Sequence, residues 1–177
     1  MIESRYWKED LLSHAKRLKP ITKPPRWTER VVVNFEKELV LSFLIVRRLF
    51  ETHKVSSKSR DYRVTIYACP VDVAKTTNRN YAYIDEVYKL KDEKEVIKDI
   101  RFVANQFIHS GAMYAYRETD RNWGGVYLCS DFERAKMLYR IPLSTIREIF
   151  ILVGSDYPSS YSLTYNERKD DYDIETD

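Results

Sequence analysis

Glycine is scarce in this sequence, with four among 177 residues. Loops that cradle phosphate need closely spaced glycines so that backbone N–H groups can approach the ligand, and neither G-x-G-x-x-G nor G-x-x-x-x-G-K-[ST] occurs. Cysteine is scarcer still. Cys69 and Cys129 make no disulfide framework and no C-x-x-C, so both read as free buried thiols in a reducing compartment. The three histidines, at 14, 53 and 109, form no H-x-x-x-H and no zinc spacing with the cysteines. No metal and no cofactor is expected. A G-x-S-x-G elbow is also absent. The longest strongly apolar stretch, LVLSFLIV, falls far short of the roughly 18 residues that span a bilayer. MIESRYWKEDLL carries no basic-then-apolar signal segment. The chain therefore reads as soluble and cytoplasmic, with no membrane partner.

What is present is apolar and aromatic. Hydrophobic residues make up 44% and aromatics 14%, including 14 tyrosines, enough for a globular domain rather than a disordered chain. Charge is uneven. Residues 1–60 hold 14 Lys/Arg against 7 Asp/Glu, a net +7, whereas residues 61–165 balance and 166–177 carry a net −4. A basic first third suits an anionic partner, and an acidic end can screen such a surface. The expected division is a single globular domain over 1–165, followed by a frayed, flexible acidic tail at 166–177.

Periodicity places the elements. Trp7, Leu11, Ala15 and Leu18 predict a helix over 4–18. KPITKPPRW, with three prolines, then makes a stiff basic strap ending in Trp27. Thr28 caps a long helix at about 29–52, with Val32, Phe35, Leu39, Phe43, Val46 and Phe50 on one stripe and Leu41 and Ile45 on the opposite side. YRVTIYACP and YAYIDEVYKL alternate as strands. A helix over 93–110 is expected from Val96, Ile100, Val103 and Phe107, capped by Asp92 and ended by Gly111. A hairpin around TDRNWGG, a strand KMLYRI, a helix STIREIFILV and a last strand SYSLTY follow. The sum is an α+β fold: N-terminal helices, one long and central, packed on a mainly antiparallel sheet with an inserted helix and a C-terminal helix.

Three groups of residues carry candidate chemistry. Lys98, Phe102, Asn105 and His109 step by four, three and four along the third predicted helix, with Arg101 at their edge. A histidine there could move protons or bind an anion, oriented by the amide. It could equally end the helix against its dipole, and the structural reading is favoured. Arg48 and His53 in RRLFETH form R-x4-H, which resembles the motif of the HEPN family of helical ribonucleases. The resemblance implies an arginine and a histidine acting together on an RNA backbone. On a continuous helix five residues separate those side chains by about 140°, and a HEPN bundle is all helical. Third, Lys19, Lys23, Arg26 and Trp27 in the strap, with the tyrosine-rich strands, offer cations beside stacking rings, as single-strand binders require.

The leading expectation is a small binding or interaction protein. Its long helix, apolar on two sides, points to self-association or a protein partner, and its basic first third to an anionic one. The rivals are an RNA-directed nuclease or toxin-like enzyme using His109 or the Arg48/His53 pair, and a non-catalytic nucleic-acid-binding module.

Overall fold

A computed structural model describes residues 3–20, 26–73, 76–80, 83–118 and 122–177, with the backbone alone at 112. Lys23 and the central prolines of the strap lie outside the described residues, as do 81–82 and the tip of the hairpin at 119–121. Helix α1 spans Arg5–Arg17 and α2 Glu29–Glu51. A short turn of helix, α3 (Ser57–Arg60), leads into β1 (Arg63–Pro70). After α4 (Ile84–Val87) come β2 (Lys94–Asp99) and α5 (Ile100–Ile108). Strands β3 (Ser110–Arg117), β4 (Trp123–Ser130) and β5 (Met137–Pro142) precede α6 (Leu143–Ser155). A separate hairpin, β6 (Tyr161–Asn166) and β7 (Asp171–Thr176), follows. The large sheet is fully antiparallel, in the order β2-β1-β5-β4-β3. The architecture is α+β.

Helices cover one face of that sheet. Val64, Ile66 and Ala68 of β1, Val126 and Leu128 of β4, and Tyr139 and Ile141 of β5 are buried against the stripes of α2, α5 and α6. Phe43 of α2 stacks on Phe107 of α5 with ring centroids 4.0 Å apart, and lies 5.1 Å from Phe150 of α6. On the other face Val87 and Tyr88 pack with Cys69, Cys129 and Leu138 in a smaller buried cluster. Both cysteines are free and buried, and burial raises both thiols' pKa values, Cys69 to about 11.

The long helix runs as expected, with the Thr28 hydroxyl accepting from Val31 N–H as its cap. Other readings are corrected. The helix expected over 93–110 is two elements. Lys94–Asp99 is a strand beside β1, and the cap is Asp99, whose carboxylate accepts from Phe102 N–H at 2.6 Å. Val96 misleads because it packs on the core from a strand as well as it would from a helix. Of YAYIDEVYKL, whose first two residues lie outside the described ones, Ile84–Val87 form α4 and Tyr88 makes an isolated bridge to Val71. The acidic end expected to fray is paired instead: β7 holds β6 in register from Tyr161–Thr176 to Asn166–Asp171, and Thr176 is buried.

α1 also differs in detail. Trp7 is 39% exposed, and its place on the stripe is taken by Lys8, which is fully buried. Its ammonium donates to the carbonyls of Lys54, at 2.6 Å, and Asp156, and sits 3.9 Å from the Tyr157 ring centre. Gly154 makes this approach possible, because a Cβ there would lie 2.9 Å from Leu12 and 3.1 Å from the Lys8 carbonyl. Burial lowers the Lys8 pKa. Lys8→Ala removes charge-assisted bonds to two carbonyls and a buried alkyl stem. It is expected to destabilise the fold by about 2–4 kcal/mol, read as a lower urea midpoint with an unchanged slope.

Candidate binding surfaces

The pairing of α2 with α5 decides where the candidate catalytic groups lie. Phe43 meets Phe107, Arg47 donates to the Asn105 amide oxygen, and His53 feels the charge of Arg101. The helices are therefore antiparallel, and rising residue numbers on one meet falling numbers on the other. His53 lies at the α5 N-terminal end and His109 caps the other end, eight residues or about 12 Å beyond Arg101 along the axis. The two histidines are not brought together. Asn105 serves an α2–α5 crosslink in which Arg47 also pairs with Glu51 at 2.6 Å. His109 is exposed, and its backbone carbonyl accepts from Asp131 N–H. Lys98 and Phe102 do meet, with the ammonium 4.6 Å from the ring centre, although Lys98 stands on a strand. Arg101 is exposed beside them.

Arg48 and His53 likewise part. Arg48 faces solvent from α2, whereas His53 follows the helix with a left-handed backbone, φ 52°. The partner of His53 is Arg60, which lies outside the R-x4-H motif. Arg60 Nη1 donates to His53 Nδ1 at 2.9 Å, and Nη2 donates to the Ser57 hydroxyl at 2.7 Å. Since a guanidinium only donates, Nδ1 is the acceptor and the ring proton is on Nε2. Burial, then Arg60 and Arg101, lower the His53 pKa and keep the ring neutral. Arg60, Arg63 and Arg101 line an open cleft of about 840 Å³, but Asp61, Asp99, Glu175 and Asp177 line it too, so the four carboxylates offset the three cations.

The strap ends in an aromatic cluster. Trp27 meets Trp123 edge-on at 4.0 Å, Trp123 stacks on Phe35 at 4.3 Å, and Arg117 lies over Trp27 at 4.0 Å. Lys19 and Arg26 beside it are exposed. Next to the cluster a groove of about 450 Å³ is floored by Tyr67, Tyr116 and Arg140. Arg140 is bound by both Glu93 oxygens at 2.7 Å, lies 3.9 Å from the Tyr67 ring centre, and donates to the Tyr116 hydroxyl at 3.2 Å. Most of this groove's charge and hydrogen bonding is thus used within the protein. Among the described residues no group of three metal-ligating side chains is found, and no helix is long and apolar enough to cross a membrane.

Two surfaces that group several exposed apolar side chains lie elsewhere. On α2, the side facing away from the core presents Arg30, Val33, Lys37, Leu41, Leu44 and Arg48, all exposed, and the carboxylate at its C-terminal end, Glu51, is paired with Arg47. Leu41 is 54% and Leu44 50% exposed. Ile45, expected on this side, is half-buried and packs at the core's edge. The second surface is the β6–β7 hairpin. Tyr161, Leu163 and Tyr165 stand opposite Thr176, Ile174 and Tyr172, so these six side chains share one face.

His53 and His14 both have lowered pKa values, chiefly through burial. His14 also hydrogen-bonds the Ser42 hydroxyl. Below the ordinary value of 6.5 the unfolded chain takes up protons that the folded one refuses, so stability falls with pH until the folded pKa values are passed. His53→Gln is expected to flatten that fall, measured as the urea midpoint between pH 7.5 and 5.

No family model matches this chain, and no curated protein or solved structure matches it either.

Proposed function

We propose that this chain acts by binding rather than by catalysis, and that it self-associates through the outward face of α2. The observation that carries this reading is the surface itself. Val33, Leu41 and Leu44 lie exposed in a row between Arg30, Lys37 and Arg48 on a 23-residue helix whose other side is buried. Burying a leucine side chain contributes about 1.5–3 kcal/mol relative to leaving it in water, and an apolar row of this kind marks a contact surface. The surrounding cations give the same face a preference for an anionic partner. The separation of His53 from His109, and the use of Asn105 as a crosslink, also favour binding over chemistry. Light scattering on a sizing column provides the test. The native chain is expected to associate at micromolar concentration, and Leu41→Glu combined with Leu44→Glu to raise its dissociation constant at least 100-fold. A native chain that stays monomeric at several hundred micromolar removes the proposal.

The nuclease reading keeps one supporting observation, the neutral His53 beside Arg60 at the rim of the polar cleft. It requires His53→Ala to abolish cleavage of a single-stranded RNA that the native chain cuts. No cleavage by the native chain, or full cleavage by the variant, ends that reading.

A further inference from the structure

The hairpin β6–β7 is an arm. It is fixed to the body at its root, where the Thr176 hydroxyl donates to the Val55 carbonyl at 2.7 Å and Thr176 N–H donates to the Ser57 hydroxyl at 3.2 Å, while the Asp177 carboxylate accepts from Ser160 N–H at 2.7 Å and closes the base of the arm. Arg60 adds a long contact to the Ile174 carbonyl at 3.4 Å. Among the described residues the arm makes no extended contact with a helix or strand of the body; near the root Ser162 and Glu175 line the cleft that Arg60, Arg63 and Arg101 also line, whereas Tyr161, Leu163, Tyr165 and Tyr172 are 51–62% exposed on the opposite face. A two-stranded hairpin is marginal alone in water and gains stability when its apolar face is covered. Its reverse face carries Asp171, Asp173 and Glu175.

We infer that the acidic arm of one copy lies across the outward face of α2 of a second copy, in a reciprocal pair. This rests on the self-association proposed above and names its partner surface. Three features converge on it. Charge is complementary: residues 166–177 carry a net −4, and the α2 face shows three cations, its one carboxylate, Glu51 at the C-terminal end, being paired with Arg47. Length matches, since six extended residues reach about 20 Å and the helix from Val33 to Leu44 rises about 17 Å. Both surfaces are apolar and uncovered within one chain, because the arm is rooted at Val55 and Ser57, past the end of α2, and leaves Val33, Leu41 and Leu44 exposed. A chain that holds both halves of a contact satisfies both at once by two-fold exchange. Two such contacts, each about 20 Å by 10 Å and counted on both partners, remove on the order of 800 Å², below the roughly 1,200 Å² of a stable interface and in the range of a weak, reversible association. The carboxylates lie on the far side of the arm from its apolar face. They therefore act on the helix cations through space, which sets orientation and makes association sensitive to salt.

Charge exchange tests this with four proteins compared by light scattering and sedimentation: the native chain, D171K/D173K/E175K, K37E/R48E, and a chain carrying both sets. Each single set is expected to raise the dissociation constant at least tenfold, and the combined chain to recover most of the native association. L163S/Y165S, which keeps the charges, is expected to weaken association as much as either single set. Urea midpoints within error of native for all variants establish that the body is folded, and L163S/Y165S carries the test if a charge set fails that check. If the native chain associates and both arm variants associate equally well, the arm inference falls while the α2 reading stands. If the arm variants dissociate but K37E/R48E does not, arm meets arm and the inference is overturned. A monomeric native chain overturns both.

Discussion

Much of this molecule depends on Phe43. Its ring stacks on Phe107 and lies against Phe150, so one side chain holds α2, α5 and α6 together over the sheet. That contact sets the antiparallel alignment of α2 with α5, and the alignment in turn decides which polar residues meet. Arg47 reaches Asn105, Arg101 approaches His53, and His109 is left at the far end. Packing of apolar rings thus distributes the groups that could have made a site. It also turns the rest of α2 outward, where Leu41 and Leu44 have no intramolecular cover.

A second constraint gathers the ends of several elements. Lys8 ties α1 to the loop after α2 and to the residue after α6. The Asp156 carboxylate accepts from both the backbone N–H and the hydroxyl of Ser56, each at 2.8 Å. Ser56 caps α3, and α3 presents Arg60 to His53 and to the root of the arm. The arm is consequently a projection from a rigid corner. Buried polar groups here are paired, as a low-dielectric interior demands.

Long periodic elements were legible in the sequence. α2 and its Thr28 cap, the buried rows of β1 and α6, and the hairpin of β3 and β4 all follow from spacing and capping chemistry. Short elements were not. In KEVIKDIRF the helical spacing of Val96 and Ile100 masks a strand that ends where the helix begins. Lys8 lies on the helical stripe of Leu11 and Ala15, but a lysine there reads as surface until two carbonyls are seen to converge on it. The candidate polar groups were legible as residues and not as partners. Arg48 shares a motif with His53, yet the ring is met by Arg60, seven residues on, because His53 itself is left-handed and turns the chain away from the helix axis. SYSLTY reads as a strand and is β6, but the second strand of the arm is hidden because its acidic composition resembles a solvated tail, while its alternation of Tyr172 and Ile174 with Asp171, Asp173 and Glu175 is that of a strand.

The junction at Asp99 has a consequence for how the sheet protects itself. Strand β2 is an edge, with one row of backbone groups open to pairing with foreign strands. Asp99 is at once its last paired residue, opposite Arg63, and the cap of α5. A slip of β2 by one residue would turn its side chains over and uncap the helix in the same motion. The helix thus acts as a ratchet on the border of the sheet. Lys94, Glu95 and Lys98 add charge along that border, and together they make it a poor template for uncontrolled strand addition.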